Sequence, residues 1–279
     1  MNLEVIDAGV LTTVQDRGRR GYAHLGVPRA GALDAPAAAL ANRLVGNESD
    51  DAVLEVTLGG LSLRAVAACW VAVTGAPVPV LVDGRPRGRE RPEWLPAGAT
   101  LALGPPTTGV RSYVGVAGGI AVEPVLGSRS TDTLAGVGPP VVATGQVLPV
   151  GRGRPPVPAD TPPWRVAAGL RLHPGPRSDW VSAGALEELC SRRWTVLPAS
   201  DRVGLRLCGE PIVRRPGELE SEGMVLGAVQ LPPEGQPVVF LADHPTTGGY
   251  PVIAVVDPAD LWQCAQARPG EQISFRPAR

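Results

Sequence analysis

The 279-residue chain contains no lysine: all 26 of its basic residues are arginine. A Walker-type phosphate loop, a pyridoxal Schiff base, an amine nucleophile and a biotinylation site each need a lysine. None of the four can be built on this chain. Cysteine is sparse too, and Cys69, Cys190, Cys208 and Cys264 show no CxxC spacing. They read as buried free thiols. The three histidines, His24, His173 and His244, never fall at HxH or HxxxH spacing, so no metal site is expected. There is no GxSxG elbow and no GxGxxG that follows a strand and opens a helix, which argues against a hydrolase serine and a Rossmann cofactor. No stretch approaches the 18 uninterrupted apolar residues of a membrane span. Glu4 and Asp7 stand where a signal peptide needs its apolar core, so the expected location is the cytoplasm. A net charge of -1 and a pI near 6.3 leave no excess of positive charge for nucleic acid or an anionic membrane.

What the chain does have is apolar sequence cut by turns. Hydrophobic residues reach 44% and charged residues 19%, a balance that folds rather than stays disordered. The 35 glycines and 31 prolines, with no Gly-X-Y period, point to a loop-rich β protein. Three segments predict helices. Asp34-Ala35-Pro36 opens an alanine-rich run that Gly46 stops, Ser178–Cys190 carries a Leu186/Leu189 stripe, and Asp257-Pro258 opens PADLWQCAQAR. The remainder reads as strands, with a hairpin turn at Asp83-Gly84. Length suggests two domains, and the proline-dense stretch 151–164 is the natural boundary between 1–150 and 165–279. Helices are too few for a doubly wound sheet. A pair of small barrels or sandwiches fits better.

Polar and glycine residues cluster in four places. The first runs from Thr12-Thr13-Val14-Gln15-Asp16-Arg17-Gly18-Arg19 to Asp34, and the second is Gly118-Gly119 with Gly127-Ser128-Arg129-Ser130-Thr131-Asp132. The third is Ser200-Asp201-Arg202 with Gly204 and Arg206. The fourth joins Glu220-Ser221-Glu222-Gly223 and Gln230 to Asp243-His244-Pro245-Thr246-Thr247-Gly248-Gly249-Tyr250. Such loops can place backbone N–H groups, hydroxyls and a guanidinium around a small anion or amide. Each also has a plainer reading. Asp16 and Arg19 can form a loop ion pair, Ser-Asp-Arg a turn with its own Asp–Arg pair, and Thr246–Gly249 a tight hairpin. Spacing alone names no reaction.

The same clusters, with TTVQDRGRRGYAHLGVPRAGALD, ANRLVGN, LEVTLGG, VTGA, RSYVGVAGGI, LGSRSTD, SDRVGLRL, SEGMVLGAVQLPP and ADHPTTGGYPVIAVV in order, resemble one family. It is the carboxyltransferase-domain family known as allophanate hydrolase subunit 2, or as the C subunit of 5-oxoprolinase. The same domain occurs within urea carboxylase. The likeness runs from about residue 3 to residue 275. It implies one carboxyltransferase-type domain over 1–279, built of cyclophilin-like β-barrel subdomains A and B with a few short helices. It implies a partner, the homologue of the 5-oxoprolinase B subunit or allophanate hydrolase subunit 1, and a small amide substrate. The implied reaction is ATP-dependent opening of 5-oxo-L-proline to L-glutamate, with ATP, and magnesium if present, held in the complex and any biotin carried on another protein. Alternatives within the resemblance are an allophanate hydrolase or urea carboxylase-like component, and a non-catalytic antagonist of a kinase-inhibitor protein. The expected catalytic residues are Asp16, Arg129 and Arg202. The expected substrate contacts are Thr13, Gln15, Asn42, Ser130, Glu222, Gln230, Asp243, Thr246, Thr247, Gly248, Gly249 and Tyr250. Val181, Val203 and Leu205 depart from the family pattern, which bears on packing around the cleft.

Overall fold

The computed structural model describes residues 1–156 and 168–278. They form two compact units. The first comprises Met1–Arg19, Ala30–Asp132 and Gly136–Trp164, and the second Arg20–Arg29, Thr133–Ala135 and Arg165–Arg279. Residues 157–164 of the proline-dense stretch lie outside the described residues.

The first unit holds β1 (Asn2–Ala8), β2 (Leu11–Gln15), α1 (Ala35–Leu44), β3 (Val53–Thr57), β4 (Leu61–Ala65), β5 (Cys69–Gly75), β6 (Val80–Val82), β7 (Arg85–Arg87), β8 (Glu93–Leu95), β9 (Thr100–Leu103), β10 (Arg111–Val116) and β11 (Val147–Pro149). They build a six-stranded sheet in the order β11-β1-β4-β9-β6-β7 and a five-stranded sheet in the order β2-β3-β10-β5-β8. One core joins the two sheets: Leu3, Val5, Leu63 and Leu101 meet Leu54, Val56, Val73 and Val114. The opposite face of the five-stranded sheet is covered by α1, through Ala38 and Ala41 on Val53 and Tyr113. Burial on both faces explains why β10, RSYVGV, is buried at every position rather than alternating. Gly115 lies under the helix, where an added methyl group would come within 2.6 Å of the Ala41 carbonyl oxygen.

The start of α1 is fixed twice. Asp34 caps it, its side chain accepting from the Ala37 amide at 3.0 Å, with Pro36 in the first turn. A buried network then holds the preceding loop. The Tyr113 hydroxyl donates to Glu55 at 2.8 Å and accepts from the Asp34 amide at 2.7 Å, while Glu55 also accepts from the Leu33 amide. Burial, and next the charges of Glu55 and Asp34, push the Tyr113 hydroxyl well above its ordinary range, so it stays a donor. The hairpin expected at Asp83-Gly84 joins β6 to β7, both residues having positive φ (49° and 72°) as a type I′ turn requires.

The second unit holds β12 (Leu170–Pro174), α2 (Ala185–Ser191), β13 (Arg193–Val196), β14 (Gly204–Cys208), β15 (Glu222–Gly223), β16 (Ala228–Gln230), β17 (Val238–Phe240), β18 (Thr247–Gly248), β19 (Val252–Val256), α3 (Leu261–Gln266) and β20 (Gln272–Pro277). Seven strands close a barrel, β12-β19-β16-β17-β14-β13-β20, sealed by a parallel β12–β20 pairing. Buried residues alternate along β13 and β14, as in Trp194 and Val196 or Leu205 and Leu207, whereas β16 and β17 are buried throughout; the barrel is filled by side chains. A two-stranded ribbon, β15 with β18, brings Met224 onto Val238, Phe240 and Val252. The architecture is thus mainly β with barrel character and a few short helices, as expected.

Two sequence expectations need correction. Ser178–Cys190 is not one helix. A 3₁₀ turn spans Ser178–Trp180, Val181 turns extended and pairs with Arg214, and only Ala185–Ser191 is α-helical. The β-branched Val181 gains more as a strand residue than it would inside the helix. Of the four thiols, Cys69 and Cys264 are buried, Cys190 is half-buried, and Cys208 is exposed. Cys208 sits at an outward position of β14. Burial pushes Cys69 up to about 11 and Cys264, where Asp260 adds to the effect, up to about 12. Both are inert thiols. No helix among the described residues is long and apolar enough to cross a membrane.

Candidate functional site

In the first unit the polar residues expected from the sequence gather at the end of β2. The Asp16 carboxylate accepts four hydrogen bonds. Oδ1 takes the hydroxyls of Ser128 and Ser130, both at 2.6 Å, and the Gly18 amide at 2.8 Å, while Oδ2 takes the Arg129 amide at 2.6 Å. The Asp16 amide in turn donates to Ser130 Oγ at 3.0 Å. Charge-assisted bonds of this kind are the strong ones. They clamp the 128–130 loop to β2. Beside the clamp the buried Gln15 donates through Nε2 to Thr13 Oγ1 at 3.0 Å and to the Thr131 carbonyl at 2.9 Å. A carbonyl can only accept, so this contact fixes which end of the amide is nitrogen. Gln15 Oε1 and Thr131 Oγ1 are buried with no hydrogen-bond partner among the described residues, so the cluster has polar capacity left over. Arg19 contacts the carbonyls of Ser130 and Val125. Arg129 places Nε on the Val122 carbonyl at 2.7 Å, and its terminal nitrogens meet no acceptor among the described residues.

The second unit carries a buried ion pair. Arg202 (2% exposed) and Asp243 (0%) meet in a two-pronged contact, Nε to Oδ2 and Nη2 to Oδ1, each 2.9 Å. Asp243 Oδ2 also accepts from the Thr133 amide at 2.9 Å and hydroxyl at 2.7 Å. The Ser-Asp-Arg turn is therefore not closed by its own Asp–Arg pair. Asp201 Oδ1 accepts instead from the amides of Val203 and Gly204, an Asx turn that frees Arg202 for a residue 41 positions on.

Residues 25–277 match the carboxyltransferase domain, subdomain A and B. The chain belongs to this family. It is 38% identical to the C subunit of 5-oxoprolinase from Escherichia coli (strain K12) over 98% of this chain and 90% of that protein. It is 33% identical to urea amidolyase of Saccharomyces cerevisiae over 99% of this chain but 16% of that protein. Among solved structures, TTHA0988 superposes with a TM-score of 0.89 at 41% identity, covering 99% of this chain and 55% of that one. The urea amidolyase of K. lactis does so with 0.90 at 30%, covering 100% and 19%. The chain thus spans about half of TTHA0988 and less than a fifth of the amidolyases.

Within this carboxyltransferase domain the other expected residues divide into two groups. Asn42 stands apart from the Asp16 cluster, on α1, where it ties the Asp51 carbonyl (2.7 Å) and Asn47 (3.0 Å). The second group is the ribbon of the second unit. Glu222 pairs with Arg177 through both carboxylate oxygens, and β15 runs against β18, which holds Thr247 and Gly248. The Thr246 carbonyl accepts from the Met224 amide at 2.9 Å. Gln230 donates to the Tyr250 carbonyl at 3.0 Å, and the Tyr250 ring is exposed. Gly248 lies directly on this amide, since an added methyl group would approach Gln230 Nε2 to 2.8 Å. Gly249 follows with the Leu219 carbonyl close by. Three participants were not singled out from sequence: Ser128 on Asp16, Thr133 on Asp243, and Arg177 on Glu222. The first two lie inside or beside the quoted Gly-Ser-Arg-Ser-Thr-Asp motif, a signal that was available. Among the described residues no group of three His, Cys, Asp or Glu side chains converges to hold a metal ion.

Proposed function

We propose that this chain is one component of an ATP-dependent 5-oxoprolinase, opening 5-oxo-L-proline to L-glutamate together with a homologue of the B subunit. The observation that carries the reading is the 38% identity to the 5-oxoprolinase C subunit, spread over nearly all of both chains. The lack of lysine is consistent with it, because ATP, with magnesium, is then held by the complex and not by a Walker loop here. A phosphoryl group from ATP would make the resistant lactam carbon electrophilic. The residues of this chain bind and orient: Arg129 through its free terminal nitrogens, with Asp16 fixing the loop that carries it and Gln15 and Thr13 beside it. A urea carboxylase-like role is supported by the likeness to urea amidolyase, and any biotin would arrive on another polypeptide.

Co-expression with the B-subunit homologue tests the reading. The two proteins should co-elute on size exclusion and release glutamate from 5-oxo-L-proline only with ATP. Separate elution at micromolar concentration, or a stable pair that makes no glutamate, overturns it. In the same assay Arg129→Ala should lower kcat/KM by about 10- to 100-fold, the range of one lost charged hydrogen bond. Its melting temperature should change little, because among the described residues the side chain bonds only the Val122 carbonyl. Full activity in the folded variant would make Arg129 structural.

A further inference from the structure

Between Asp16 and Asp34 the sequence carries Arg17, Arg19, Arg20, His24 and Arg29 and not one carboxylate. Two of the arginines are accounted for. Arg17 meets Asp50 and Ser49, and Arg19 meets backbone carbonyls. Arg20 and Arg29 are different: neither has a hydrogen bond or ion pair with any described residue. Arg29 is half-buried, and its Nε is shut off from solvent without an acceptor. Burial first, and then the charge of Arg20, pull its guanidinium below the ordinary arginine value. An arginine remains charged even so. Two like charges are thus held near one another, one partly desolvated, with no carboxylate of the described residues paired to either.

The backbone holds Arg29 there. Pro28 before it is buried and has a fixed φ. Ala30 after it is buried and left-handed, at φ 52°, a conformation an L-residue with a Cβ adopts at a cost. Folded chains seldom leave a buried charge unpaired. A guanidinium fork with a free Nε edge matches a carboxylate or phosphate bidentately.

We propose that Arg29, with Arg20 beside it, forms an anion-binding site in the second unit for a ligand bearing a carboxylate or a phosphate. The anion accepts from Arg29 Nε and a terminal nitrogen and supplies the countercharge that neither arginine finds among the described residues. The site is a property of this chain alone and goes beyond the reaction proposed above, so it stands or falls separately.

The full chain, without a partner, is titrated calorimetrically with 5-oxo-L-proline, inorganic phosphate and ATP. Binding of 5-oxo-L-proline alone assigns a carboxylate ligand, and binding of phosphate or ATP assigns a phosphate. Arg29→Gln should weaken whichever anion binds by about 10- to 100-fold. Arg29→Lys should fall between, keeping charge without the fork, and Arg20→Gln should weaken it less. The second readout is the ligand-free melting temperature. Removing an unpaired charge should leave Arg29→Gln melting at or above the wild type. No anion binding to the wild-type chain, unchanged affinity in Arg29→Gln, or a melting temperature several degrees lower in that variant each overturns the proposal.

Discussion

Asp16→Asn should lower both the melting temperature and the turnover of the assembled complex, the latter by at least about 100-fold, the scale of a misplaced reacting group. The substitution is nearly isosteric, so its effect comes from hydrogen-bond polarity. Both carboxylate oxygens face donors only. Whichever way the new amide turns, its NH2 group faces a backbone N–H, either that of Gly18 or that of Arg129. A serine hydroxyl can rotate to accept, but a backbone amide cannot. One part-buried donor therefore loses its acceptor at a cost of about 1 kcal/mol, and the 128–130 loop shifts with Arg129 on it. Melting temperature and turnover are measured on one purified complex. A turnover loss with unchanged melting would mean that Asp16 acts on substrate directly. A melting loss with normal turnover would remove it from the site.

Asp243→Ala should strongly destabilise the second unit. It takes the two-pronged carboxylate contact away from the Arg202 guanidinium, which is 2% exposed, and strips the Thr133 amide and hydroxyl of their acceptor. Breaking a buried pair from one side costs about 3–5 kcal/mol, which corresponds to a fall of about 10 °C in melting temperature for a domain of this size. Replacing both charges, Arg202→Met with Asp243→Leu, should recover part of that loss. Recovery is incomplete because Thr133 still lacks its acceptor. Wild-type melting in Asp243→Ala would sink this account of the pair.

Much of the local structure was legible because its causes are local. Asp34-Ala35-Pro36 announces a capped helix start, and Asp83-Gly84 announces its hairpin, since each signal acts over a few residues. The glycine-bracketed polar motifs hold the residues that bond to one another in the structure, and their order identified the family. What connects those motifs was not legible. Asp16 binds Ser128 and Ser130 more than a hundred residues away, and Arg202 chooses Asp243 over the adjacent Asp201. Nothing in the spacing of either motif encodes such a partner. The break at Val181 was hidden for the same reason: its strand partner, Arg214, is remote. Arg29 was overlooked because an unpaired charge is visible only once every possible partner has been located.

The interleaving of the two units also has a consequence in time. Residues 20–29 belong to the second unit, yet that unit's main segment begins at residue 165. At about 5–20 residues per second, synthesis leaves the early segment waiting roughly 12 to 50 s until the last barrel strand is made. Throughout that interval its run of positive charge is exposed on the growing chain. The second unit is therefore completed after the first, even though one of its pieces is synthesised before most of the first.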